Sequence, residues 1–375
     1  MATAPSGPPF RADHVGSLLR PKKLLEARAA VANGSLPRER LREVEDEAIG
    51  EAVKMQEEAG LRSATDGEFR RASWHMDFIY QLGGIVRSKE SLKVHFHNRA
   101  GDLDFTAPVP FVEGKIRLEH TIFGDDFRRL RELVRTATPK LTIPSLSMVH
   151  YRGGRAAIDR SVYPDIEAFW NDLVAAYREE VRRLAELGCT YLQFDDTSLA
   201  YLNDPHQREE MAARGDDAEH LHLRYIANIN AALANKPAGM AITTHMCRGN
   251  FRSSWVAEGS YDFVAEALFN ELRVDGFFLE YDDARSGGFE PLRFVPRGKR
   301  VALGLVTTKR GELEKKEDLK RRIDEASRFV PLEQLCLSPQ CGFSSTVEGN
   351  SLTYEEQVAK LRLIVETARE VWGTS

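Results

Sequence analysis

At 375 residues the chain can bury a sizeable core, and its length alone leaves open one large domain or two. A formal net charge of −5 and a pI near 6.1 exclude a strongly basic nucleic-acid surface. No apolar run approaches the ~20 residues of a membrane span, and four cysteines in so long a chain build no disulfide framework, so the reading is a cytoplasmic protein with reduced thiols.

In chain order, Met1 to Pro9 is small-residue and Pro-rich, without the basic start and apolar core of a signal peptide. Residues 1–10 are therefore read as a disordered lead-in, and 11–375 as a single catalytic domain. A short strand is expected to end near Val15. Gly16-Ser17 then make a tight turn whose N–H groups can hold an anion such as a carboxylate. Leu41, Val44, Ala48, Ala52 and Met55 keep helical spacing through Pro37 to Ala59, and Gly60 stops that helix.

A strand at 61–66 runs into Asp66-Gly67-Glu68, where Glu68 is a candidate for gripping a cationic group and a surface ion pair with Arg70 or Arg71 is the plain alternative. His75 could line a pocket, although a lone histidine more often packs or faces solvent. Residues 88–117 alternate apolar positions with turn formers and are read as an inserted β-hairpin region on a barrel rim. Another strand ends at Pro144-Ser145. An amphipathic helix spans Glu167 to Leu187, and Tyr191 to Phe194 then runs into Asp195-Asp196. His220 and His222, on a helix within 215–233, are expected to be solvated.

Three later strand-like runs each end in a soft or anionic donor: Thr244-His245-Met246-Cys247, Phe278-Leu279-Glu280 and Ser338-Pro339-Gln340-Cys341. On a strand, residues i and i+2 face one side, so His245 and Cys247 can face one point. With Glu280 and Cys341 the set is His, Cys, Glu, Cys, which suits Zn²⁺. Cys189 and Cys336 are read as small buried hydrophobes. A helix is expected over 317–328, and a closing one from Tyr354 to Trp372.

The strand candidates are 12–16, 61–66, 141–146, 190–195, 239–246, 275–280, 300–307 and 334–339, most of them separated by a helix. Alternating units of this kind predict an α/β fold, the (β/α)8 TIM barrel, whose C-terminal strand ends form the active site.

His-Met-Cys-Arg-Gly-Asn at 245–250, Leu-Glu-Tyr-Asp at 279–282 and Ser-Pro-Gln-Cys-Gly at 338–342 carry a resemblance, together with Val-Gly-Ser at 15–17, Asp-Gly-Glu-Phe-Arg-Arg at 66–71 and Phe-Asp-Asp at 194–196. From about Arg11 to Gly373 the chain resembles the short, single-barrel bacterial relatives of the catalytic half of cobalamin-independent methionine synthase. The resemblance implies a zinc-dependent thiol methyltransferase carrying a methyl group, from 5-methyltetrahydrofolate, to homocysteine. It implies His245, Cys247, Glu280 and Cys341 as zinc ligands. Glu68 and Asp195 match the acids that hold the amino group of homocysteine, and Ser17 matches the carboxylate contact.

There are two departures. Full-length enzymes carry an extra N-terminal barrel that helps hold a polyglutamylated folate, and none is expected here. The family's Asp-x-His acid corresponds here to Thr307-Thr308-Lys309, so Lys309 is a candidate proton donor beside Asp195 and His75. Two alternatives stand. One is zinc-dependent alkyl transfer to another thiol, as in epoxyalkane:coenzyme M transferase; the other is a non-catalytic zinc-binding barrel. Neither nucleic acid nor membrane is an expected partner, and the oligomeric state is open.

Overall fold

The computed structural model describes residues 7–98 and 101–375, with the backbone alone for residues 90 and 108. Its strands are β1 (Ser63–Ala64), β2 (Gly83–Asn98), β3 (Gly101–Arg117), β4 (Thr138–Pro139), β5 (Leu141–Pro144), β6 (Tyr191–Asp196), β7 (Ala241–Met246), β8 (Gly276–Glu280), β9 (Arg300–Val306) and β10 (Leu335–Pro339). The fold is α/β. Strands β5 to β10 form one parallel sheet in chain order.

Parallel neighbours need a crossover connection, and helices supply most of them: Ile166–Glu186, Leu221–Ala232, Asp262–Glu271 and Lys316–Ser327. Every residue of β5, β6, β8 and β10 is buried. Burial on both faces is why these segments read as continuous apolar runs rather than alternating ones. Because all six strands run the same way, their C-terminal ends share one edge of the sheet. The register sets Asp195 opposite His245 and Glu280 opposite Gly304.

Both ends of this sheet continue. Beside β10, Ala12 forms a parallel bridge with Leu337. Beyond β5, β1 pairs in parallel with β4. These two flanks meet. The Leu18 N–H donates to the Gly67 carbonyl (3.1 Å), and the Thr65 hydroxyl donates to the Gly16 carbonyl (2.6 Å). The strand expected at 12–16 is thus reduced to a bridge, and that at 61–66 to two residues, because side chains supply much of the pairing there.

The hairpin expected at 88–117 is real but starts earlier, with β2 antiparallel to β3. Residues 99–100 at its tip lie outside the described residues. It is fastened to the body by a backbone pair between His97 and Trp255 (2.7 and 2.9 Å) and by the Phe96 ring against Phe251, 5.5 Å between centroids.

Helices at Lys22–Ala32, Gly124–Leu133 and Pro205–Ala213 were not expected. Gly124–Leu133 buries only Gly124, Phe127 and Leu130, too few apolar positions to print a helical period. The disordered lead-in expected over 1–10 does not hold at its end. Residues 1–6 lie outside the described residues, but Pro9 and Phe10 are buried. The Arg300 guanidinium donates to the carbonyls of Gly7 (2.7 Å) and Pro9. His222 is buried against Phe263 rather than solvated.

A polar knot sits inside the sheet. Asp13, wholly buried, accepts from Ser63 Oγ (2.8 Å) and Tyr191 Oη (2.8 Å) and pairs with Lys140 Nζ (3.3 Å). Removing one partner of a buried ion pair leaves an uncompensated charge. Lys140→Ala is therefore expected to cost about 3–5 kcal/mol in urea unfolding at neutral pH; an unchanged midpoint would show that the knot contributes nothing.

Candidate metal centre and substrate cavity

His245 and Cys247 leave the end of β7, Glu280 ends β8, and Cys341 follows β10. One donor atom from each can be chosen so that all four lie within 4.8 Å of one another, and all four residues are buried. The two sulfurs are 3.6 Å apart. Two thiolates about 2.3 Å from one tetrahedral zinc stand about 3.8 Å apart, so the spacing suits a shared ion. Both nitrogens of the His245 ring are buried without a hydrogen-bond partner among the described residues. Buried imidazole without a partner is costly and calls for one. The residues present therefore fit a metal.

Glu280 is clamped from both sides. The Arg248 N–H donates to Oε1 (3.0 Å), and Arg285 Nη2 donates to Oε2 (3.1 Å). Oε1 stands 4.0 Å from His245 Nε2. The Gly249 N–H donates to the Cys247 sulfur (3.4 Å), and Asn250 Nδ2 donates to the Gly342 carbonyl (2.8 Å). That last bond ties the loop of Cys247 to the loop of Cys341. Gly342 is needed where it is: a Cβ there would lie 1.9 Å from Ser17 Oγ. Sequence reading did not single out Arg285 as the second hand on Glu280. Its place five residues after an intact acid was the available signal.

The electrostatics follow from burial and proximity. A hydrogen bond from Cys247 holds the Cys341 thiol well below its ordinary range, and the same bond pushes Cys247 up. Burial alone would hold the His245 imidazole neutral, but the Cys341 sulfur raises it. Burial raises the Glu280 carboxyl, against the pull of Lys309 and Arg285.

His245, Cys247 and Cys341 open onto a cavity of about 260 Å³. Ser17, Glu68, His75 and Asp195 line the same cavity. Glu68 sits at φ 61°, a left-handed backbone that a non-glycine residue rarely adopts, right after Gly67 at φ 67°. That turn projects the carboxylate inward. Its Oε1 accepts from Thr142 Oγ1 (2.8 Å), and its Oε2 is buried with no partner among the described residues. Asp195 Oδ1 accepts from Gln193 Nε2 (2.6 Å). Burial, with the Glu68 charge adding to it, lifts the Asp195 carboxyl to about 7. Ser17 Oγ accepts the Ser344 N–H (3.3 Å), which joins it to the Cys341 loop.

His75 is a cavity residue rather than a packing or surface one. Its ring lies 4.3 Å from that of Trp74, and burial holds it neutral. Lys309 does not line the cavity shared by the others but a separate one with Asp282 and Thr307, and its charge acts on Glu280, Asp282 and Cys341. Sequence reasoning missed the aromatic wall of the substrate cavity, made by Trp74, Phe96, Phe105 and Phe251. Two of these come from the hairpin, whose alternation gave no hint of where it would fold back.

The fold and site define a parallel α/β protein with a thiol, imidazole and carboxylate centre at the C-terminal ends of its strands. Residues 121–370 match the family described as cobalamin-independent synthase, catalytic domain. The chain is 48% identical over 368 residues to the uncharacterized protein YxjH of Bacillus subtilis, covering 97% of this chain and 95% of that one. A crystal structure of a candidate vitamin-B12 independent methionine synthase from Listeria monocytogenes superposes with a TM-score of 0.76 at 38% identity, covering 97% and 98% of the two chains. A B12-independent methionine synthase from Shewanella, in complex with selenomethionine, shares the fold with a TM-score of 0.71 at 21% identity, over 96% and 97%. The chain belongs to the catalytic-domain family of the cobalamin-independent methionine synthases.

Cys341→Ser should remove or weaken bound zinc while circular dichroism stays that of the folded chain, with metal content read by atomic emission. Zinc retained at one per chain would take Cys341 out of the ligand set.

Proposed function

We propose that this protein is a zinc-dependent methyltransferase that moves a methyl group from 5-methyltetrahydrofolate to the thiol of homocysteine, giving methionine. The observation that carries the reading is one cavity holding both a soft metal-donor set and two buried acids. The two meeting flanks of the sheet support closure as the (β/α)8 barrel expected from sequence.

His245, Cys247, Glu280 and Cys341 would hold the zinc. Bound there, Zn²⁺ supplies the charge that keeps a thiol substrate ionised at neutral pH, where a free thiol with pKa near ~8.5 is mostly protonated. Of the four, Glu280 would be the weakest donor to zinc, because oxygen competes poorly with sulfur for a soft-leaning site, and Arg285 holds its other oxygen. Glu68 and Asp195 take the substrate ammonium, and the Ser17 turn takes its carboxylate. Two acids at this place disfavour a sulfonate-bearing thiol.

Asp195 is assigned to the ammonium rather than to proton donation, because a carboxyl beside a bound cation ionises. His75, held neutral, serves as a hydrogen-bonding wall. Lys309 is assigned to the charge balance of Glu280 and Asp282, which it faces from the other cavity. The aromatic wall offers flat surfaces on which a pterin ring can stack.

Purified zinc protein given homocysteine and 5-methyltetrahydrofolate should form methionine. Stoichiometric zinc with no methionine from any methyl donor would overturn the reading. Glu68→Gln should weaken homocysteine binding by about tenfold or more with zinc content unchanged, since it removes a charged partner of the ammonium; equal affinity would discard the role. The pH dependence has a definite sign. Below about 7 Asp195 is protonated and cannot pair with an ammonium, so homocysteine affinity should rise as pH rises through about 7. Asp195→Asn should delete that inflection and leave the inflection of the thiol; two superimposable profiles would refute the assignment.

A further inference from the structure

We propose that Gln193 is a positioning residue for the substrate's amino-acid head, one amide that fixes the carboxylate-binding turn and the ammonium-binding acid against each other. The inference rests on the homocysteine reading above and adds what sets the spacing between the two ends of that head.

Gln193 lies on β6 two residues before Asp195, so both side chains point to the same side of the strand. It is wholly buried. Val15, Ser17, Glu68 and Asp195 line the catalytic cavity, and Gln193 sits beneath that lining. Its Nε2 donates to the Val15 carbonyl (2.7 Å) and to Asp195 Oδ1 (2.6 Å). A carbonyl can only accept, so the amide must turn its NH2 end this way. Its two protons are thereby divided, one to the turn and one to the acid. Oε1 has no partner among the described residues, so these two bonds are the polar anchors of the amide.

The geometry of the turn gives the Val15 carbonyl its importance. In a planar trans peptide the carbonyl and the following N–H point in opposite directions. A bond on the Val15 carbonyl therefore sets where the Gly16 N–H points. The Thr65 hydroxyl on the Gly16 carbonyl (2.6 Å) does the same for the Ser17 N–H. Neither N–H has an acceptor among the described residues. Two fixed, unspent N–H groups suit a carboxylate. Gly16 itself sits at φ 146°, and a Cβ there would lie 2.8 Å from Thr142 Cγ2. Thr142 in turn donates to Glu68 (2.8 Å), so the turn presses directly on the acid side. An α-amino acid carries its ammonium and carboxylate on one carbon, so the groups that receive them must keep a fixed separation. The Gln193 amide spans that separation with two hydrogen bonds.

The test titrates the zinc protein calorimetrically with four thiols: homocysteine, 3-aminopropane-1-thiol, which lacks the carboxylate, 4-sulfanylbutanoate, which lacks the ammonium, and propane-1-thiol, which lacks both. Gln193→Met keeps the length of the side chain and removes both donors. It should weaken either single-ended thiol by about tenfold and homocysteine by about a hundredfold, one factor for each lost hydrogen bond. Propane-1-thiol affinity and zinc content should stay at the wild-type level. Asp195→Asn keeps an acceptor for the Gln193 amide, so it should weaken homocysteine and the aminothiol and leave 4-sulfanylbutanoate unchanged. Gln193→Glu, of the same size but without N–H donors, should repeat the methionine pattern and takes its place if circular dichroism shows that variant unfolded. Loss on one single-ended thiol alone, equal loss on all four, no loss, or unfolding of both variants overturns the positioning role and leaves methyl transfer standing. Wild-type protein that binds homocysteine no more tightly than propane-1-thiol overturns the homocysteine reading, and the positioning role with it.

Discussion

Two thiols, an imidazole and a carboxyl are packed into one buried point, and the protein gives them few partners of its own. Burying such groups is costly unless something satisfies them. The chain satisfies only Glu280 thoroughly, with the Arg248 amide on one oxygen and Arg285 on the other. Among the described residues neither nitrogen of the His245 ring finds a hydrogen-bond partner. That imbalance is what a cation resolves: the clamped carboxylate fixes one corner, and the sulfurs and imidazole wait around it. The parallel register of the sheet makes the meeting possible, since it brings the ends of β7, β8 and β10 to one edge.

The substrate side depends on a second set of ties. Arg20 donates to the Ser344 and Thr346 carbonyls (3.1 and 2.9 Å) and to those of Glu68 and Arg71 (3.0 and 2.8 Å). One guanidinium thus locks the loop after Cys341 to the turn that carries Glu68. The left-handed backbone at Glu68 persists because its surroundings hold it. The loop of Cys341 and the turn of Glu68 are therefore positioned by the same bonded framework. Rigid support of this kind is what lets two substrates meet at a fixed geometry.

Much of this was legible in the chain. The strands β6 to β10 stood out because doubly buried strands must be continuously apolar, and β6, β7, β8 and β10 each ran into an acid, an imidazole or a thiol. The donors His245, Cys247, Glu280 and Cys341 could be picked from those ends because i and i+2 on a strand share a side. Glu68 and Asp195 were visible as acids that folding itself did not require. The first strands were read too generously, because bonds from Thr65 and Ser63 replace ladder pairing there. Lys309 was placed by analogy of position, and position along the chain does not say which side of a carboxylate a lysine will occupy.

What the sequence determined by itself was periodicity and chemistry: which segments are buried on both faces, and which side chains are unusual at their ends. These are local properties, set by hydrophobic pattern and side-chain type. Only the tertiary structure decided which groups share a cavity. It put His75 and the hairpin aromatics around the cavity onto which His245, Cys247 and Cys341 open, and Lys309 in another cavity beside Asp282. Those outcomes depend on how loops and the hairpin fold back across the sheet, where contacts between residues far apart in sequence outweigh any local signal.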